Sequence, residues 1–181
     1  MKPDLTICGV SELESLLVGR DPPPGTITHI VSLWDPPVQD ASRWEIDEHL
    51  NLFGRVLPSA PVLALFFDDI ANPVEGLTEP GIDHMRQVLS FAREALKDHG
   101  DDTHLLVHCR MGISRSTACA LAILAHANPE IPARDLVFHI LSIRPWVAPN
   151  LSLTQFADEI LERDDPLLPA VRSLRNGTMS R

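Results

Sequence analysis

Tyrosine is missing from this chain altogether, and cysteine is scarce, with three among 181 residues. Cys8, Cys109 and Cys119 form an odd set without CxxC or zinc-type spacing. That excludes a disulfide framework, offers no metal site and points to a reducing compartment. No apolar run approaches the ~20 residues of a membrane span, and no basic-plus-apolar signal segment opens the sequence. A cytoplasmic protein without a membrane span is expected. Positive charge is the other shortage. Lys and Arg number 15 against 25 Asp and Glu, a formal net charge of −10, which makes nucleic acid and other long polyanions poor partners. With no internal repeat or interdomain linker, 181 residues read as one domain, long enough to bury a real core.

What the chain does have is one highly organised stretch, Thr103 to Ala127. Leu105-Leu106-Val107 reads as a strand covered on both faces. Thr117 to Ala127 is almost all Ala, Leu and Ile, the composition of a helix sunk in the core. Between them, at positions 108 to 116, stands His-Cys-Arg-Met-Gly-Ile-Ser-Arg-Ser. Cys109 and Arg115 thus lie where a strand hands over to a helix N-terminus. The first helical N–H groups have no intrahelical acceptor and the dipole is positive there, so the loop is a ready anion site.

The chemistry follows from these residue types. A thiol is a nucleophile only as thiolate, and a free cysteine titrates near pH ~8.5. Loop N–H groups, the helix terminus and Arg115 all favour ionised Cys109. The same donors suit a dianionic phosphate: Arg115 by a bidentate fork, the N–H groups of Arg110, Met111, Gly112, Ile113, Ser114 and Arg115 by encirclement. Gly112 lets the backbone bend and approach a ligand. Ser114 and Ser116 are placed to bond neighbouring backbone or the sulfur. Nucleophile and oxyanion cradle share one loop, as phosphoryl transfer through a cysteinyl phosphate requires.

His108-Cys109, five residues, then Arg115-Ser116 resembles the loop of the cysteine-dependent protein tyrosine phosphatases, above all the compact dual-specificity branch. The resemblance implies a phosphocysteine mechanism without metal or cofactor, with a general-acid aspartate on a separate loop. It implies that Ser116 helps the cysteine leave as thiolate. His108 is read as orienting the loop. Family members commonly show an apolar stretch, one variable residue, then the acid; laid onto Leu65-Phe66-Phe67-Asp68-Asp69, that selects Asp69, with Asp68 as runner-up. Arg144-Pro145 to Pro149-Asn150 is a second likeness, which implicates Asn150 in supporting the phosphate loop. It then weakens, because Ser152-Leu153 stand where Gly-Phe is common and Gln155 is one position early.

The rest of the chain supplies an α/β order. Leu5–Val10 reads as a strand and 11–17 as a helix capped by Ser11, with Glu14 at the capping-box position. Residues 20–25 read as a loop, Thr26–Leu33 as a strand, and Trp44–Leu52 as a helix in a segment (38–60) that is otherwise hard to place. Val62–Phe67 is a strand ending at Asp68 and Asp69, where open α/β sheets place their chemistry. Helices follow at 79–99, 133–143 and 153–163. The expectation is a three-layer α/β/α domain over residues 1–163, with a mostly parallel sheet of four or five strands flanked by helices. The 164–181 tail is expected to be weakly ordered, with Leu167, Leu168, Val171 and Leu174 spaced to dock one turn. Cys8 and Cys119 are read as packing, and the remaining histidines make no metal spacing.

Substrate class is left more open. The expected activity is hydrolysis of phosphomonoesters, with phosphotyrosine, phosphoserine or phosphothreonine in proteins as the leading substrates. The missing tyrosine removes the aromatic wall of tyrosine-selective relatives in that form, though Trp34, Trp44, Trp146 or a phenylalanine can replace it. The loop interior lacks the paired lysines of lipid-phosphatase relatives, which counts against phosphoinositides. The alternatives are a phosphoinositide or other small-molecule phosphatase, a non-hydrolysing phosphate-binding module, and sulfur or arsenate transfer.

Overall fold

The computed structural model describes residues 1–19, 26–37 and 40–179, so the loop expected at 20–25 lies outside the described residues. The order is β1 (Asp4–Gly9), α1 (Val10–Val18), β2 (His29–Trp34), α2 (Asp40–Val56), β3 (Val62–Phe66), α3 (Ile82–His99), β4 (His104–Cys109), α4 (Arg115–Ala127), α5 (Ala133–Ile143), α6 (Leu151–Leu161) and α7 (Leu167–Arg175). The four strands form one sheet in the order β1-β4-β2-β3, every pair parallel. The two central strands, β2 and β4, are buried along all six residues.

Strand alternation divides the core into two layers. Ile7, Val31, Leu33, Leu65, Leu105, Val107 and Cys109 pack with residues of α3 to α7. Cys8, Ile30 and Leu106 point the other way, onto Leu13 of α1 and Phe53 of α2. This is the expected three-layer architecture, with a wholly parallel sheet of four strands. Consecutive residues of β4 therefore serve opposite layers, which sends His108 and Cys109 to different faces. α4 is buried continuously from Arg115 to Ala125, as its apolar composition required.

Several boundaries differ for physical reasons. α1 begins at Val10, and the Gly9 N–H donates to Glu12 Oε2 at 2.6 Å; the expected Ser11 cap and Glu14 box give way to this arrangement. Glu12 is placed by Arg144, 132 residues away, a partner no local pattern reveals. α2 extends well beyond 44–52, and β2 starts only at His29. The expectation of a weakly ordered tail is corrected for residues 167–175. Leu167 and Val171 are fully buried, and the Asp158 carboxylate accepts from the Leu167 and Leu168 N–H groups at 2.6 and 2.8 Å, capping α7 from α6. Asp165 in turn accepts from the Ala133 N–H at the start of α5.

Candidate active site

β4 ends on Cys109, and residues 110–114 turn directly into α4. The sulfur is 1% exposed as a residue and sits 3.2 Å from Ser116 Oγ, with the Gly112 N–H donating to it at 3.3 Å. Burial works against ionisation of Cys109. The Ser116 hydroxyl and N–H, the Arg115 charge and the Gly112 N–H outweigh it, so the thiol lies below its ordinary range. At Cys8 and Cys119 the penalty prevails: burial pushes Cys8 up to about 12 against the Arg144 charge, and raises Cys119 against that of Arg115. One of three cysteines is activated.

Two glycines set the loop against the β1–α1 turn. Gly112 has φ +70°, and a Cβ there would meet Cys8 C at 2.5 Å. Gly112 thus makes the expected bend with a left-handed backbone, and it also admits the close approach of β1, which the sequence did not reveal. Gly9 faces the Met111 backbone at 3.0 Å in the same sense. Among the described residues, the N–H groups of Arg110, Met111, Ile113 and Ser114 have no backbone acceptor, while the Gly112 N–H is the loop donor on the sulfur.

Arg115 is 2% exposed, and both its amino groups are held. Nη1 donates to the Phe67 carbonyl at 2.6 Å, Nη2 pairs with Asp35 Oδ1 at 2.8 Å, and the guanidinium lies over the Phe67 ring. Its Nε is buried without a partner. A buried, unsatisfied donor on a fixed planar group, beside an activated thiol, is a group built for an anion.

The two aspartates have separated roles in the geometry. Asp68 turns away: its Oδ2 accepts from the Thr78 N–H at 2.7 Å and its own N–H bonds the Thr78 carbonyl. Asp69 Oδ1 accepts from Ser114 Oγ at 2.6 Å and from Asn150 Nδ2 at 2.9 Å, so this carboxylate stands over the loop. Asn150 connects three elements. Its N–H donates to the Ser114 carbonyl, its amide donates also to the Ile70 carbonyl, and its Oδ1 caps α6 at the Leu153 N–H. The expected bond to the phosphate loop is thus made by its main chain, and its side chain holds the aspartate loop. The Arg110 side chain pairs with Glu45 Oε2 at 2.7 Å on the rim.

His108 lies on the far layer. Its Nε2 is 2.7 Å from Ser32 Oγ, which also accepts from Trp34 Nε1, and the rings of Trp34 and Phe53 flank it. Burial first, then His49, press its pKa down to about 3, so it is a neutral spacer below the loop. Ser32, Glu12 and Asp35 escaped the sequence reading, and Arg144 entered it only as part of the Arg-Pro likeness, without a role. Arg144 holds the Met111 carbonyl at 3.1 Å and Glu12 at 2.9 Å. Burial favours neutral Glu12, but the bonds from Arg144 and Gly9 and the Arg144 charge keep it below its ordinary range. Asp35 had a legible signal, a carboxylate at the C-terminal end of the strand beside β4, the same reasoning that singled out Asp68 and Asp69.

The fold is that of the dual-specificity-type cysteine phosphatases. The chain superimposes on the crystal structure of DUSP15 with a TM-score of 0.56 and 21% identity, covering 97% of this chain and 92% of that one. The human tyrosine phosphatase-like serine/threonine/tyrosine-interacting protein gives 0.55 and 21%, over 88% and 91%. PTPMT1, solved in complex with PI(5)P, gives 0.54 and 13%, over 88% and 90%. In sequence, 67 residues are 39% identical to human Protein phosphatase Slingshot homolog 3, spanning 37% of this chain and only 10% of that relative. No family model matches. The resemblance carried by the Cys109–Arg115 loop is borne out by the fold these proteins share.

Proposed function

We propose that this protein hydrolyses phosphomonoesters through a phosphoryl group carried on Cys109, with phosphorylated side chains of proteins as the leading substrate class. The observation that carries the reading is the lowered Cys109 thiol, bonded by Ser116 and Gly112, beside the buried and unpartnered Nε of Arg115. In the first step the thiolate attacks phosphorus in line and the S–P bond forms as the ester P–O bond breaks. Asp69 gives its proton to the leaving oxygen; its Oδ1 is engaged by Ser114 and Asn150, which leaves Oδ2 to carry it. Arg115 and the N–H groups of residues 110–115 hold the equatorial oxygens. In the second step water attacks phosphorus, Asp69 takes its proton, and the S–P bond breaks with Ser116 stabilising the departing thiolate.

The test is a steady-state assay of wild type and Cys109→Ser on an aryl phosphate, phosphopeptides and phosphoinositides, with a chelator present. Vanadate-sensitive turnover that is abolished in Cys109→Ser is expected. Retained activity in that variant, or loss of wild-type activity to the chelator, would overturn the reading. The same assay weighs the phosphoinositide alternative directly.

A further inference from the structure

Each arginine bordering the phosphate loop has its own carboxylate. Arg110 pairs with Glu45 of α2, Arg115 with Asp35 at the end of β2, and Arg144 with Glu12 of α1, all within 2.7–2.9 Å. Asp69 adds a further carboxylate at the mouth. The chain's two lysines do not compensate. Lys2 precedes β1 and Lys97 lies in the last turn of α3, so both are at the opposite end of the parallel sheet. Beside the loop opens a cleft of about 140 Å³ lined by Leu33, Trp34, Asp35, Glu45, Ile46 and Arg110; with Asp69, the carboxylates around it exceed Arg110 and Arg115 by one.

The rim is also apolar. Trp146 is 82% exposed and Met111 64%, on two loops laced together. Arg144 bonds the Met111 carbonyl, Ala148 N–H the Ile113 carbonyl and Asn150 N–H the Ser114 carbonyl. A large indole left in water on so fixed a loop is suited to packing against whatever enters the site.

We propose that the substrate is a polypeptide segment bearing one isolated phosphate with basic or uncharged flanks, its phosphorylated side chain packing against Trp146 and Met111 and a basic flank seated in the Asp35–Glu45 cleft. A second phosphate beside the loop finds Arg110, Arg115 and Arg144 each already paired and meets Glu45 and Asp69 as well. This rests on the phosphatase reading, with the loop amides and Arg115 sufficing for one phosphate only.

The experiment uses phosphotyrosyl peptides of one backbone, with basic flanks, neutral flanks, or a second phosphate two residues away, and phosphatidylinositol mono- and trisphosphate in mixed micelles. Each is ranked by kcat/KM on wild type and by calorimetric binding to Cys109→Ser. The basic-flanked monophosphate should exceed the doubly phosphorylated peptide by roughly tenfold or more at low salt, and the gap should narrow as salt screens it. Glu45→Gln should shrink that ratio by about threefold. Trp146→Ala should raise KM for the peptides about fivefold with kcat and inhibition by inorganic phosphate unchanged. Equal or better use of the multiply phosphorylated substrates, or a ratio indifferent to Glu45→Gln, would overturn the proposal. If wild type turns over no phosphomonoester, including nitrophenyl phosphate, the phosphatase reading fails, and the binding ranks still decide the substrate question.

Discussion

The Cys109 thiol is lowered by competition, and the competitors have names. Burial opposes the thiolate, and the Ser116 and Gly112 donors with Arg115 prevail. Because the folded thiol lies below its ordinary value, its alkylation rate should rise with a midpoint below the ~8.5 of a free cysteine. Ser116→Ala removes the strongest opposing donor and should move that midpoint upward; an unmoved midpoint at ~8.5 in wild type would mean that the loop does not activate the sulfur. The aspartates make a second prediction at this scale. Asp69→Asn should lower kcat about 10²–10⁴-fold on alkyl or tyrosyl phosphates, and less on nitrophenyl phosphate, whose leaving group needs no proton. Asp68→Asn, bonded to Thr78, should cost less than about tenfold. The reverse ranking would make Asp68 the acid. Spacing favoured Asp69 in the sequence, but only its bonds to Ser114 and Asn150 distinguish it physically, and those come from elements 45 and 81 residues away.

Within elements, β4 does the positioning. Its two-residue alternation puts Cys109 toward α4 and His108 toward Trp34 and Phe53, and the apolar run Leu105-Leu106-Val107 announced that strand. The helix at 133–143 and the buried α4 were equally legible, because periodicity and composition act locally. The start of α1 was not, since Glu12 is held by Arg144 across the fold. His108 carries a pH prediction. Its folded pKa of about 3 lies below the unfolded 6.5, so between these values the unfolded chain binds one more proton. Stability is fully present above pH ~6.5 and falls by ~1.4 kcal/mol per pH unit below it from this group. From pH 7 to 5 the wild type should lose about 2 kcal/mol more than His108→Asn in urea denaturation. Equal losses would contradict a buried neutral imidazole.

For the whole molecule, α7 closes the layer formed by α3 to α6. Its sequence offered only the docking spacing of Leu167, Leu168, Val171 and Leu174, because its order depends on two of these side chains, Leu167 and Val171, and on the distant cap Asp158. Leu167→Ala should therefore destabilise by about 2–5 kcal/mol, the usual cost for a buried leucine, measured as a shift in the denaturation midpoint at unchanged slope. A change under about 0.5 kcal/mol, the range of surface substitutions, would mean that α7 is not part of the core.

The central claim is that a phosphoryl group passes through Cys109. Acid quenching of wild type during turnover, followed by mass mapping of the Cys109 peptide, tests it most directly. The account predicts one phosphoryl group on Cys109, formed and lost at least as fast as kcat, absent from Cys109→Ser and, with nitrophenyl phosphate as substrate, more abundant in Asp69→Asn, which lacks the base of the second step. Turnover with Cys109 unmodified at every quench time, matched by an active Cys109→Ser, would contradict it.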